Sequence, residues 1–230
     1  MIRNLGVLIA VSTIGKEATL TRTSYVESRF MTYDFMKRLI DLLGAATALL
    51  LLAPILAVLA VVVKLTSPGP VFFSHTRLGR GGAEFRCYKF RTMVVDAEDV
   101  LARSPELRAQ FEVNFKLARD PRLTSVGAFL RRTSLDELPQ FYNVLNGTMS
   151  LIGPRPIVPR ERAKYGSCID KLLSVKPGLG GAWQAYGRSN TSYGQRIALD
   201  MYYIDNRSLL LDLKMMLRTA LVVILGQGAC

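Results

Sequence analysis

Asp136 and Glu137 stand side by side in the segment Ser134-Leu135-Asp136-Glu137-Leu138-Pro139-Gln140, directly after Arg131-Arg132. Adjacent carboxylates beside cations can do nucleophilic or acid-base work on an anionic substrate. They can equally start a helix. In one register Ser134 and Glu137 form a capping box; in another Asp136 is the N-cap and Pro139 occupies the first turn, where its missing N–H costs nothing. Either register predicts an acid at the positive end of a helix, kept ionised by the helix and the arginines, at a place that attracts phosphate. Histidine offers no competing chemistry, because His75 is the only one. Acid-base or nucleophilic work therefore falls on carboxylates, Lys, Tyr, Cys or Ser.

Other cations are placed to join this pair. Val71 to Arg77 and Glu84 to Arg91 read as a hairpin turning at Gly79-Arg80-Gly81-Gly82. Alternation puts Lys89 and Arg91 on one face of the second strand, with Tyr88 and Phe90 opposite. Two cations on a rigid face can meet one diphosphate, or simply face solvent. Further on, Gly153-Pro154-Arg155-Pro156 fixes the backbone around one arginine, so little entropy is left to lose on binding. Cys87, Cys168 and Cys230 lie far apart without a CxxC spacing, and with one histidine no familiar zinc set can form.

The elements that must position these residues begin with a membrane segment. The 22 residues from Leu42 to Val63 carry no charge, and as helix they would reach about 33 Å, enough to cross a hydrocarbon core. Lys37 and Arg38 precede the run, while Lys64, Arg77, Arg80 and Arg86 follow it, so the positive-inside rule draws both ends to the cytoplasm. Pro54 sits mid-run, where it removes a hydrogen bond and kinks or breaks the helix. The expectation is a re-entrant helix-break-helix over residues 31–66, with a kinked single span as the competing arrangement. Residues 1–30 read as a variable tail, and 67–230 as a cytosolic catalytic domain.

Within that domain, Asp96 to Lys116 is an amphipathic helix interrupted near Ser104-Pro105, and a further helix runs to about Leu145. Lys176 to Gly181 reads as a tight turn. Ile197 to Tyr203 reads as a short helix with Asp200 on its polar side, and Leu209 to Leu225 as an apolar helix lying along a membrane surface. The fold class is thus α+β: a membrane-inserted helix-break-helix, then a compact mixed helical domain with a small β-hairpin and interfacial amphipathic helices. Thirty Lys and Arg against eighteen Asp and Glu give a net charge of +12 across 230 residues, which points to anionic partners. Half the residues are hydrophobic, a composition ordinary for a membrane-attached protein and unusual for a nucleic-acid binder.

Taken together, KRLIDLL, the Pro54-interrupted run, SPGPVFF, KFRTM, DPRLTSVGAFLRRTSLDELPQ, NVLNGTMSLIGPRP, KPGLGGAWQ and LDMYYIDNRSLLLDLK resemble, in order over residues 36–225, the bacterial sugar transferases. These are small monotopic phosphoglycosyl transferases, and the likeness is greatest to exopolysaccharide-initiating members that carry galactose- or glucose-phosphate. The resemblance implies transfer of a sugar-1-phosphate from a UDP-sugar to undecaprenyl phosphate, with release of UMP. It implies Asp136 as nucleophile and Glu137 as its dyad partner, with Mg2+ near both. Lys89 and Arg131 fall on positions associated with phosphate, Arg155 on one linked to the nucleotide, and Pro54 on the break of a re-entrant helix. It also implies the cytoplasmic face of a bacterial inner membrane, with inner-membrane lipid as a partner and nucleic acid excluded; a homo-oligomer is compatible with it. Two departures stand out: Gly178-Leu179-Gly180-Gly181 where related chains often read PGLTG or PGITG, and Asn206-Arg207-Ser208 where many have Asn-Trp-Ser. Neither touches the dyad. The alternative is a non-catalytic, membrane-tethered basic binding or scaffold protein, which needs the charge and the anchor but gives no reason for two acids among arginines.

Overall fold

The computed structural model describes residues 32–112, 117, 120–187, 191–223 and 225 in full, and the backbone alone of 3–31, 113, 114 and 224. The chain divides into two compact units, residues 1–40 and 41–230. The first is the leading part of helix α1, Arg3–Thr66; the tail expected over residues 1–30 lies outside the fully described residues. Within α1, Thr32–Thr66 is long and apolar enough to cross a membrane. Helical backbone continues through Pro54. The expected interruption into two separate helices is therefore not seen in the backbone.

The second unit takes up α1 from Asp41. Both limbs of the apolar run, before and after Pro54, pack on the body. Asp41 accepts hydrogen bonds from the Ser150 hydroxyl (3.0 Å) and the Leu151 amide (2.8 Å), and Ala45 is buried with Cys87, Val144 and Met149. On the other limb, Val63 is buried with Phe90 and Leu130, and Leu56, Leu59 and Ala60 pack against them. Between the limbs, Leu50 and Leu51 are more than two-thirds exposed.

After α1 come the expected hairpin, β1 (Phe72–Leu78) antiparallel to β2 (Glu84–Phe90), and the expected interrupted helix, α2 (Ala97–Ala102) and α3 (Pro105–Asn114). Helix α4 (Ser125–Thr133) is capped by Thr124, whose hydroxyl accepts from the Gly127 amide at 2.9 Å. Gly127 is required for close approach: a Cβ there would lie 1.9 Å from the Thr92 carbonyl oxygen. Helix α5 spans Gln140–Leu145. Its Asn143 ties it to the hairpin, donating to the Arg86 carbonyl (2.7 Å) and accepting from the Tyr88 amide (3.0 Å).

The segment read as a tight turn is in part a strand. β3 (Ser150–Ile152) and β4 (Gly178–Gly180) pair in parallel, Ser150 opposite Gly178 and Ile152 opposite Gly180. The glycines that suggested a turn serve contact instead, since a Cβ on Gly178 would meet the Gly153 nitrogen at 2.0 Å. Helices α6 (Ile169–Leu173), α7 (Ala182–Tyr186), α8 (Tyr193–Asn206) and α9 (Leu209–Ile224) complete the body. Ser192 and Gln195 cap α8 reciprocally, starting it four residues before the expected Ile197. Asp200, expected on the polar side, instead faces inward, 1 % exposed, where it accepts from the Tyr165 hydroxyl at 2.9 Å. The principal core gathers Leu78, Ile152, Ile157, Tyr165, Leu172, Tyr203 and Met215 between the hairpin end, β3 and α6 to α9.

Candidate active site

The Ser134 to Gln140 segment adopts neither predicted cap. Ser134 ends α4 in the left-handed region (φ 58°), its amide returning to the Arg131 and Leu130 carbonyls, and its side chain makes no capping hydrogen bond. A single 3-10 turn, Leu135–Glu137, follows, and Pro139 precedes α5. This sharp reversal between two helices, rather than a helix N-terminus, presents Asp136 and Glu137. Asp136 is buried, 6 % exposed.

Lys89, from the end of β2, serves both acids. Its Nζ is 2.5 Å from Glu137 Oε1 and 3.9 Å from Asp136 Oδ2. One cation shared unequally divides the proton affinities of the two carboxyls. Burial pushes Asp136 up to about 6, against the pull of Lys89, with the Glu137 charge adding to the rise. Burial also opposes the charge on Glu137, but Lys89, Arg155 and Arg77 overcome it and hold that carboxyl down at about 2. The expectation that Asp136 is kept firmly ionised by a helix end is thus corrected: Glu137 holds the firm charge. Asp136 is a more basic carboxylate than usual, still mostly ionised at neutral pH.

The predicted cations separate. Lys89 and Arg155 line one pocket together with Glu137, Arg77, Gln140 and Gln184. Arg155 lies over the Trp183 ring, 4.7 Å from its centroid. Arg131 stands beside the acids, its charge favouring ionised Asp136, and its Nε donates to the Thr92 hydroxyl at 3.0 Å. Arg91 is not brought to the site. It falls just past β2, is 6 % exposed, and donates to the Ser67 (2.9 Å) and Pro68 carbonyls that follow α1. It secures the end of the apolar helix instead of meeting a diphosphate. Alternation stopped being a guide where the strand stopped.

Arg77 and Glu161 were not singled out from the sequence. Register supplied a signal for Arg77: Phe73 pairs with Lys89, so Phe73, His75 and Arg77 share the Lys89 face. Arg77 donates to the Pro156 carbonyl at 3.1 Å and lies 3.7 Å from Glu161. Glu161 also accepts from the Val158 amide (2.8 Å), the Tyr193 hydroxyl (3.1 Å) and Arg196 (3.2 Å). This network braces the Arg155 loop, and Asp200 adds a bond from the Arg155 amide. No local pattern links residues 77, 155, 161, 196 and 200. Among the described residues no cluster of three or more His, Cys, Asp or Glu could hold a metal. Two adjacent carboxylates do match Mg2+, which takes one or two carboxylates and completes its shell with water and substrate phosphates.

A buried basic carboxylate next to Glu137, which lines a pocket with Lys89, Arg77 and Arg155, has the charge pattern that suits phosphoryl chemistry on an anionic substrate. The chain belongs to the bacterial sugar transferase family, whose sequence profile matches residues 32–226. It is 43 % identical over 199 residues to a UDP-galactose-lipid carrier transferase of Erwinia amylovora, covering 85 % of this chain and 42 % of that protein. It is 44 % identical over 199 residues to an undecaprenyl-phosphate galactose phosphotransferase of Salmonella typhimurium, again 85 % and 42 %. Similarity to the exopolysaccharide production protein ExoY of Rhizobium meliloti is 42 % over 197 residues, covering 84 % of this chain and 87 % of that one. The chain thus spans about two-fifths of the length of the first two relatives and most of the third.

Proposed function

We propose that this protein transfers a hexose-1-phosphate, galactose or glucose, from a UDP-sugar to undecaprenyl phosphate, initiating exopolysaccharide or other glycan assembly. The observation that carries the reading is the shared lysine, which leaves Asp136 basic and Glu137 charged within a ring of cations. The relatives' names supply the substrate class.

In the proposed reaction a carboxylate oxygen of Asp136 attacks the sugar-bearing phosphorus. The bond from that phosphorus to the bridging oxygen breaks, and UMP leaves with the bonding electrons. A phosphate oxygen of undecaprenyl phosphate then attacks the same phosphorus and returns Asp136 to its carboxylate. Lys89, Arg77, Arg131 and Arg155 neutralise the diphosphate, without which an anion would not approach it. Glu137 anchors Lys89. Asp136 and Glu137 would hold Mg2+ when substrate brings its phosphates, adding positive charge to stabilise the departing UMP.

The acceptor carries a lipid tail, so the site belongs at headgroup depth. We infer that in the membrane α1 bends at Pro54, so that it dips into one leaflet and returns, on the cytoplasmic face of the inner membrane. The packing of both limbs on one body supports this, since a straight crossing of about 30 Å would carry one limb away. The exposed row Leu210, Leu213, Leu217 and Leu221 on α9 supports an interfacial helix. Incubation with UDP-hexose labelled in the sugar, with Mg2+ and without lipid, is expected to release one equivalent of UMP and leave label on Asp136. Asp136→Asn is expected to take no label. Turnover on addition of lipid without labelled enzyme at any time would overturn the covalent route, and full function of Asp136→Asn would favour a scaffold.

A further inference from the structure

Resting on the transferase reading, we propose that Gln184 determines sugar specificity, its side-chain carbonyl accepting a hydrogen bond from one hydroxyl of the hexosyl group. Gln184 lies on α7, lines the pocket of Lys89 and Glu137, and is 7 % exposed. Its Nε2 donates to the Leu179 carbonyl at 3.2 Å, which fixes the amide orientation. Oε1 is then buried without a partner among the described residues. Gly181 leaves that oxygen its room, as a Cβ there would lie 3.3 Å from it.

A buried acceptor without a partner costs free energy that a ligand donor recovers. The diphosphate cannot be that donor, because ionised phosphate only accepts; Lys89, Arg77 and Arg155 answer it. The donor must come from the sugar or from the uracil imide. Two features favour the sugar. The pocket borders Glu137 and Lys89, so the ring that enters it is the one bonded to the reacting phosphorus. Among the described residues its lining holds no aromatic side chain on which a base could stack, and the nearby Trp183 face is taken by Arg155.

The test uses the full-length protein with undecaprenyl phosphate and Mg2+, scoring UMP release from the preferred UDP-hexose and its 2-, 3-, 4- and 6-deoxy analogues. Wild type is expected to lose roughly 10- to 100-fold in kcat/KM at one position. Gln184→Met, similar in shape but without the acceptor, is expected to lose a similar factor on the parent sugar and to stop distinguishing that deoxy analogue. Inhibition by UMP is expected to be unchanged. A flat deoxy panel in wild type would overturn the inference, and that measurement stands even if Gln184→Met does not fold. So would a deoxy penalty that persists in full in Gln184→Met, or an equal loss of UMP inhibition, which would move the contact to the base. Absence of UMP release from any UDP-hexose would instead overturn the transferase reading itself, and this inference with it.

Discussion

At the scale of the residue, the chemistry is set by how one lysine is divided between two acids. Burial pushes the Asp136 carboxyl up to about 6, and Lys89, 2.5 Å from Glu137 but 3.9 Å from Asp136, offsets that only in part. On the proposed route Asp136 must be deprotonated to attack. Thus kcat/KM for UDP-hexose is expected to rise with pH through about 6 and level off above it, falling roughly tenfold per unit on the acid side. Glu137→Gln removes a charge that raises Asp136 and frees Lys89 to lower it. Its acid limb is expected to move to lower pH by about one unit, as the pH profile of residual UMP release would show; an unmoved limb would separate the two acids. The dyad, Arg131 and Arg155 were legible because each sits in a dense local motif. Arg77, Gln184 and Glu161 were not, because their partners lie far away in sequence.

At the scale of the element, the dyad depends on the reversal between α4 and α5. The sequence offered Ser134 as a capping hydroxyl; the structure uses it as a left-handed C-cap whose side chain caps nothing. The two roles differ in outcome. A capping serine loses about 1 kcal/mol on replacement, whereas a non-glycine residue at φ 58° is relieved by glycine. Ser134→Gly is therefore expected to hold or slightly raise Tm, and Ser134→Val to lower it by several degrees, as thermal unfolding would show. Short strands escaped notice for a related reason. β3 and β4 have three residues each, too few for alternation to appear, and glycines that permit close backbone contact carry the same signature as a turn. Helix α8 was cut short because its start lay in the Ser192 and Gln195 cap, outside the apolar pattern.

At the scale of the whole molecule, charge and one long apolar helix suit association with a membrane. A net charge of +12 suits an anionic lipid surface and phosphorylated substrates alike. Within the 41–230 unit both limbs of the apolar run pack on the body, with Asp41 bonded to Ser150 and Leu151, and Val63 buried against Phe90 and Leu130. Single cysteines placed in the sequence before Asp41 and after Thr66, in a chain with its native cysteines replaced, are expected to be shielded together from an impermeant reagent in intact cells. Both should react once the cytoplasmic side is opened. Labelling of the leading site alone in intact cells would replace the re-entrant arrangement with a span.

The sequence by itself determined the apolar helix, the hairpin, the helices flanking the acidic pair and the family motifs, because each rests on contiguous or periodic residues. Only the tertiary structure decided the rest. Burial and the unequal reach of Lys89 made Asp136 the basic acid and Glu137 the charged one. The end of β2 sent Arg91 to the carbonyls after α1 instead of to the pocket. Pairing of β3 with β4 set Gln184 and Arg155 around the pocket that Lys89 and Glu137 border. Those outcomes depend on distances between residues far apart in the chain, which no local pattern records.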